Sequence, residues 1–102
     1  MRTENEIAAD IMRFSPVDGN WLELERLLDE LWRGGPSAAS LGALFGVFER
    51  FPDEDGAGVF WSTVHGLEHL DIPHEAALRE SLARRQSEMG EIMLHRLDNA
   101  RR

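Results

Sequence analysis

Apolar positions along this 102-residue chain recur at helical spacing almost throughout. Ile7, Ile11 and Phe14 fall three and four residues apart, which puts them on one side of a helix. Thr3 opens that run with Glu6 three positions on, a T-x-x-E box in which each side chain satisfies the other's backbone N–H. Ser15-Pro16 closes it, because the residue before a proline is pushed out of the helical region. Asn20 is the expected N-cap of a second helix, with Glu23 at its third position. Trp21, Leu24, Leu28, Leu31 and Trp32 form its stripe, Leu27 lies beside them, and Gly34-Gly35-Pro36 ends it. Ser37 caps a third segment with Leu41, Leu44, Phe45 and Phe48 on its apolar face, stopped by Phe51-Pro52.

Asp53-Glu54-Asp55-Gly56-Ala57-Gly58 is the longest clear loop. A fourth helix is predicted to start near Gly58 or Val59, with Phe60, Val64 and Leu67 facing inward and Trp61 and His65 on a neighbouring face. Asp71 is the expected cap of a fifth helix, with Pro73 early in it, where a missing N–H does no harm. Leu78 and Leu82 mark its apolar side. Ser87 caps a sixth, striped by Met89, Met93, Leu97 and Ala100. The pattern predicts one all-α domain over 1–102, with about six short antiparallel helices in three hairpins, 3–33, 37–70 and 72–100. Alternate helices begin roughly 34 residues apart, a spacing shared with helix-hairpin repeats, so a compact bundle and a short HEAT-like solenoid both fit.

Composition supports helix over strand. Leu and Ala number 23, against 10 for Val, Ile and Thr together, and Tyr is absent. There is no Cys, which removes disulfides and every thiolate zinc site. There is no Lys either, so all 11 basic residues are Arg, set against 19 acids for a net charge of −8. That balance argues against nucleic acid or an anionic membrane as partner and favours a basic protein. The charge is uneven: residues 1–75 hold 15 acids and 5 Arg (−10), residues 76–102 hold 4 acids and 6 Arg (+2). No apolar run approaches the ~18 residues of a membrane span, and Met1 to Asp10 lacks the apolar core of a secretory signal. A bacterial cytoplasmic protein is the expectation.

Chemistry is sparse. His65-Gly66-Leu67-Glu68-His69 matches the H-x-x-E-H of inverted zinc peptidases, with Asp71 and His74 close behind as possible further ligands. Gly66 weakens the helix that would carry it, and a chain this short leaves little material for a substrate cleft. Polar residues on a helix surface, with His65 partly packed, are the favoured reading. Asp53-Glu54-Asp55-Gly56 resembles the start of a calcium loop, but position twelve is Val64 rather than Glu. Ser62 near His65 is an ordinary i, i+3 pair, and no P-loop, dinucleotide or G-x-S-x-G pattern occurs. Gly42 and Gly46, four apart, suggest a close helix approach. Arg84-Arg85 and Arg101-Arg102 suit helix C-termini better than a nucleic-acid patch. The expectation is therefore a non-enzyme with no cofactor and no metal.

The block from Phe51-Pro52-Asp53 through Phe60-Trp61-Ser62 into His65-Gly66-Leu67-Glu68, with Arg84 to Gly90 and Met93 to Ala100, resembles small all-α immunity proteins of bacterial polymorphic toxin systems, contact-dependent or type VI-delivered. The resemblance covers about residues 44–100. It implies a protein that binds one cognate toxin domain and blocks it, the toxin being basic in charge and of a class that includes nucleases. Asp53, Glu54, Asp55, Trp61, His65 and Glu68 are the expected contact residues. A helical-repeat adaptor or regulatory subunit is the alternative that the same fold and acidity allow.

Overall fold

The side chains of Thr3, Ser37 and Ser87 cap helical segments where the sequence predicts them to. The computed structural model describes residues 2–69 and 72–100. Helix α1 spans Glu4–Arg13, and both halves of the Thr3/Glu6 capping box are formed. Helix α2 spans Leu22–Arg33. It starts one residue later than Asn20 as N-cap would require: Trp21 holds that position, and the Asn20 carboxamide oxygen accepts from the Leu22 N–H at 2.9 Å. The Trp21 indole is drawn into the core at that point, so the asparagine closes the turn from one residue further out. Gly35 leaves the helix in the left-handed region (φ 70°) that glycine adopts without steric cost. Ser37 caps a single 3-10 turn, Ala38–Ser40, that runs into α3, Leu41–Arg50.

Helix α4 is Val59–His69, α5 is Glu75–Arg84 and α6 is Glu88–Ala100. Pro73 stands before α5 and not early within it. His74 occupies the N-cap position with φ −130°, outside the helical range, and the first helical bond runs from Leu78 N–H to the His74 carbonyl. Asp71, the expected cap, lies outside the described residues. Ser87 does cap α6, its hydroxyl accepting from the Gly90 N–H at 3.1 Å.

The six helices form a compact all-α bundle with a radius of gyration of 12.9 Å, close to the ~13 Å expected for about 100 residues. Helix α3 is its axis: Leu41, Ala43, Leu44, Phe45, Val47 and Phe48 are all buried, and α1, α5 and α6 pack around it. The sequence neighbours α1 and α2 lie side by side, and so do α5 and α6. The middle pair does not follow suit, since the backbone of α4 approaches α2 and α6 while α3 approaches α1 and α5. Helices α3 and α4 meet instead through Phe48 and Phe60, whose rings are 5.3 Å apart.

Two glycine expectations reverse. A Cβ on Gly42 or Gly46 would meet nothing within 4 Å, so neither marks a close approach. The close approach is at Gly66, where a Cβ would come within 2.6 Å of the Trp32 indole. The glycine inside the H-x-x-E-H pattern is thus what lets α2 lie against α4.

Candidate functional site

The acidic loop between α3 and α4 is a structured turn. The Asp55 carboxylate accepts from the Ala57 N–H at 3.0 Å, and its carbonyl accepts from the N–H groups of Gly58 and Phe60, both at 3.1 Å. Gly56 is buried at φ 60°, and a Cβ there would stand 2.8 Å from the Phe60 ring and 3.3 Å from Trp21. Trp21 meets Phe60 and Phe51 edge to face, at 5.3 and 5.2 Å between centroids. The underside of the loop is therefore anchored to an aromatic cluster, while Asp53, Glu54 and Asp55 are exposed. A turn whose backbone is already ordered loses little freedom on binding, which favours association.

A fourth acid joins them from far along the chain. The Glu88 N–H at the start of α6 donates to the Pro52 carbonyl at 2.9 Å, which sets this exposed glutamate beside the loop. Nothing local in the sequence links residues 52 and 88.

Elsewhere among the described residues, eight carboxylates are paired with arginines inside the molecule. Arg2 binds Asp10 and Glu30, Arg26 binds Glu23, Arg33 binds Asp29, Arg84 binds Glu49 and Arg96 binds Glu68. Arg50 donates instead to the Phe14 and Ile11 carbonyls at 2.6 and 2.8 Å and so caps the end of α1. Asp53, Glu54, Asp55 and Glu88 have no cationic partner among the described residues. Exposed pairs of this sort add little stability, but they do cancel local field. Among the described residues Glu4, Glu6, Asp18, Glu25, Glu80 and Glu91 form no ion pair either, and the loop end differs from them in gathering four such acids around one turn.

The residues expected on α4 separate. Trp61 is half-buried against the core, and its ring centroid lies 6.0 Å from that of His65. His65 is exposed rather than partly packed. Glu68 turns to α6, where its two carboxylate oxygens accept from Nε and Nη2 of Arg96, at 2.7 and 2.8 Å. Those hydrogen bonds hold its carboxyl below the usual glutamate range. Glu68, the general base of the zinc-peptidase pattern, is thereby committed to an arginine. Among the described residues no three His, Asp or Glu side chains converge as a metal site. His74 is buried against Phe45, with Nδ1 2.8 Å from the Ile72 carbonyl. Arg84 is held by Glu49, Arg85 is exposed, and Arg101-Arg102 lie outside the described residues.

With this geometry in place, comparison adds no assignment: no protein-family model matches the chain, and no curated protein or solved structure is significantly similar to it. No helix among the described residues is long and apolar enough to cross a membrane.

Proposed function

We propose that the chain is an immunity protein that neutralises a cognate bacterial toxin domain by binding a basic surface of that domain with its acidic loop end. One observation carries this reading: Asp53, Glu54, Asp55 and Glu88 lie uncompensated around a turn fixed to the aromatic core, while most arginines of the described chain already hold carboxylates. Such a surface attracts cations from a distance and gives association a strong dependence on salt. A toxin acting on nucleic acid has a basic cleft for phosphate, and a row of carboxylates on an ordered turn competes for the same cleft. Trp61 and His65, adjacent on α4, extend the contact with an aromatic edge. Glu68 is removed from the contact set, since its carboxylate is occupied by Arg96.

The test is co-expression with the C-terminal domain encoded by the adjacent gene, reading both cell survival and co-purification. Protection together with a stable complex is the expected result. Survival unchanged by the protein, with no complex recovered, would overturn the reading.

A further inference from the structure

Trp61, His65 and His69 stand four residues apart on α4, which stacks them along one edge of the helix. The Trp61 and His65 rings, with centroids 6.0 Å apart, are the first step of that ladder. His69 is the next step and the last residue of the helix. Both of these imidazoles are exposed, so a solute can reach them, whereas His74 is buried. The only imidazole hydrogen bond among the described residues is that of His74, which leaves the ring nitrogens of His65 and His69 without a protein partner there.

Cβ atoms four residues apart on a helix are about 5–6 Å from each other. Two imidazoles on such positions can turn a nitrogen each onto one ion, at bonds of about 2.0–2.1 Å. Glu68 lies between them in sequence but does not join them, because both its oxygens are held by Arg96. The edge therefore offers two nitrogen donors and no free carboxylate from within that turn. Such a set suits a borderline transition metal and not Mg²⁺ or Ca²⁺, which take oxygen ligands. The helix end adds a favourable field, since α4 closes at His69 and its last carbonyls carry partial negative charge.

We infer that His65 and His69 form a two-nitrogen binding site for a divalent transition-metal ion, Cu²⁺ ahead of Zn²⁺, with water completing the shell. The order follows the general rise of affinity toward copper for nitrogen donors. The site binds and does not hydrolyse: zinc-peptidase chemistry needs a third protein ligand and a free general base. Among the described residues no third His, Asp or Glu converges, and Glu68 is committed to Arg96. The inference stands apart from the proposed toxin binding and does not rest on it.

The experiment is a calorimetric titration of the full chain with CuCl₂, ZnCl₂ and MgCl₂, paired with NMR of the imidazole rings during the zinc titration. Cu²⁺ is expected to bind about tenfold tighter than Zn²⁺, and Mg²⁺ not to bind at these residues. Zn²⁺ should move the ring signals of His65 and His69 and the indole signal of Trp61 along one common curve, leaving those of His74 and His95 in place. His65→Ala and His69→Ala should each weaken Cu²⁺ binding about tenfold, because the second nitrogen binds within the molecule once the first is engaged. His95→Ala, at an exposed position on α6, is the control and should leave the affinity as it was. The ring shifts are read on the unaltered chain, so they decide the matter even if a variant fails to fold. Separate curves for His65 and His69 would mean two unrelated one-nitrogen contacts and would overturn the inference. So would a Cu²⁺ affinity unchanged in either variant, or one lowered equally by His95→Ala. Each of these failures leaves binding at the acidic end untouched, because that is read on Asp53, Glu54 and Asp55.

Discussion

The Trp32 indole rests on the backbone of Gly66: a methyl placed there would come within 2.6 Å of one ring carbon and 2.8 Å of another. Two effects compete in Gly66→Ala. Helix propensity favours alanine by up to ~1 kcal/mol. Overpacking costs about 1–3 kcal/mol, because a rigid indole must move as a unit. We expect overpacking to win, leaving the variant about 1 kcal/mol less stable in urea unfolding. A Gly66→Ala protein more stable than wild type would mean that α2 and α4 do not lie this close.

Gly42 is the converse case. It sits in the first turn of α3, exposed, and a methyl there would have no neighbouring atom within 4 Å. Gly42→Ala removes backbone freedom from the unfolded chain and fills open space. It is expected to stabilise by about 0.5–1 kcal/mol, visible as a higher urea midpoint with an unchanged slope.

Stability should fall in acid, with Glu49 a principal contributor. Its carboxylate accepts from Arg84 at 2.9 and 3.1 Å and from the Ser81 hydroxyl at 2.9 Å, joining α3 to α5. The Arg84 hydrogen bonds, followed by Ser81, hold the folded carboxyl below the ordinary value of 4.5. A folded pKa below the unfolded one gives stability that is complete above 4.5 and is lost as pH falls through the folded value. Glu4, hydrogen-bonded by Ser40 and Ser37, and Glu68, by Arg96, act in the same direction and window. Glu49→Gln is expected to cost about 1–2 kcal/mol near neutrality. It should also flatten the loss of stability as pH falls below the ordinary glutamate value of 4.5. A variant with the wild-type acid slope would show that this carboxylate is not linked to folding.

Local signals are legible in the sequence, and long-range ones are not. Thr3 and Glu6 announce the start of α1, and the stripes Leu24–Leu28–Leu31 and Leu44–Phe45–Phe48 name core faces that are buried. These follow from hydrogen bonds and periods within a few residues. The start of α5 differs from expectation because Pro73 suits a first helical turn in general, whereas here the His74 ring folds back onto the Ile72 carbonyl and delays the helix. The glycines mislead because spacing within one helix says nothing about what lies across from it. Gly66 makes sense only against Trp32, which is 34 positions earlier in the chain. The acidic loop is legible as a charged turn, but its fourth carboxylate depends on a backbone bond between Pro52 and Glu88.

That bond makes a testable statement about the binding face. Asp53→Asn, Glu54→Gln and Asp55→Asn in one protein remove three charges, and asparagine at 55 keeps an oxygen for the Ala57 N–H. The melting temperature should stay the same, because none of the three carboxylates has a cationic partner among the described residues. The rate of association with the proposed toxin domain should fall about tenfold at low salt, and its dependence on ionic strength should flatten. Adding Glu88→Gln should lower the rate further, although position 88 is 33 residues beyond Asp55. Glu80→Gln, an exposed acid on α5, serves as the control and should leave the rate as it was. If Glu80→Gln slows association as much as Glu88→Gln, net charge alone drives encounter and the loop end is not the docking face. If Glu88→Gln alone is effective, the contact is centred on the start of α6 and the loop acids serve only to shape the turn.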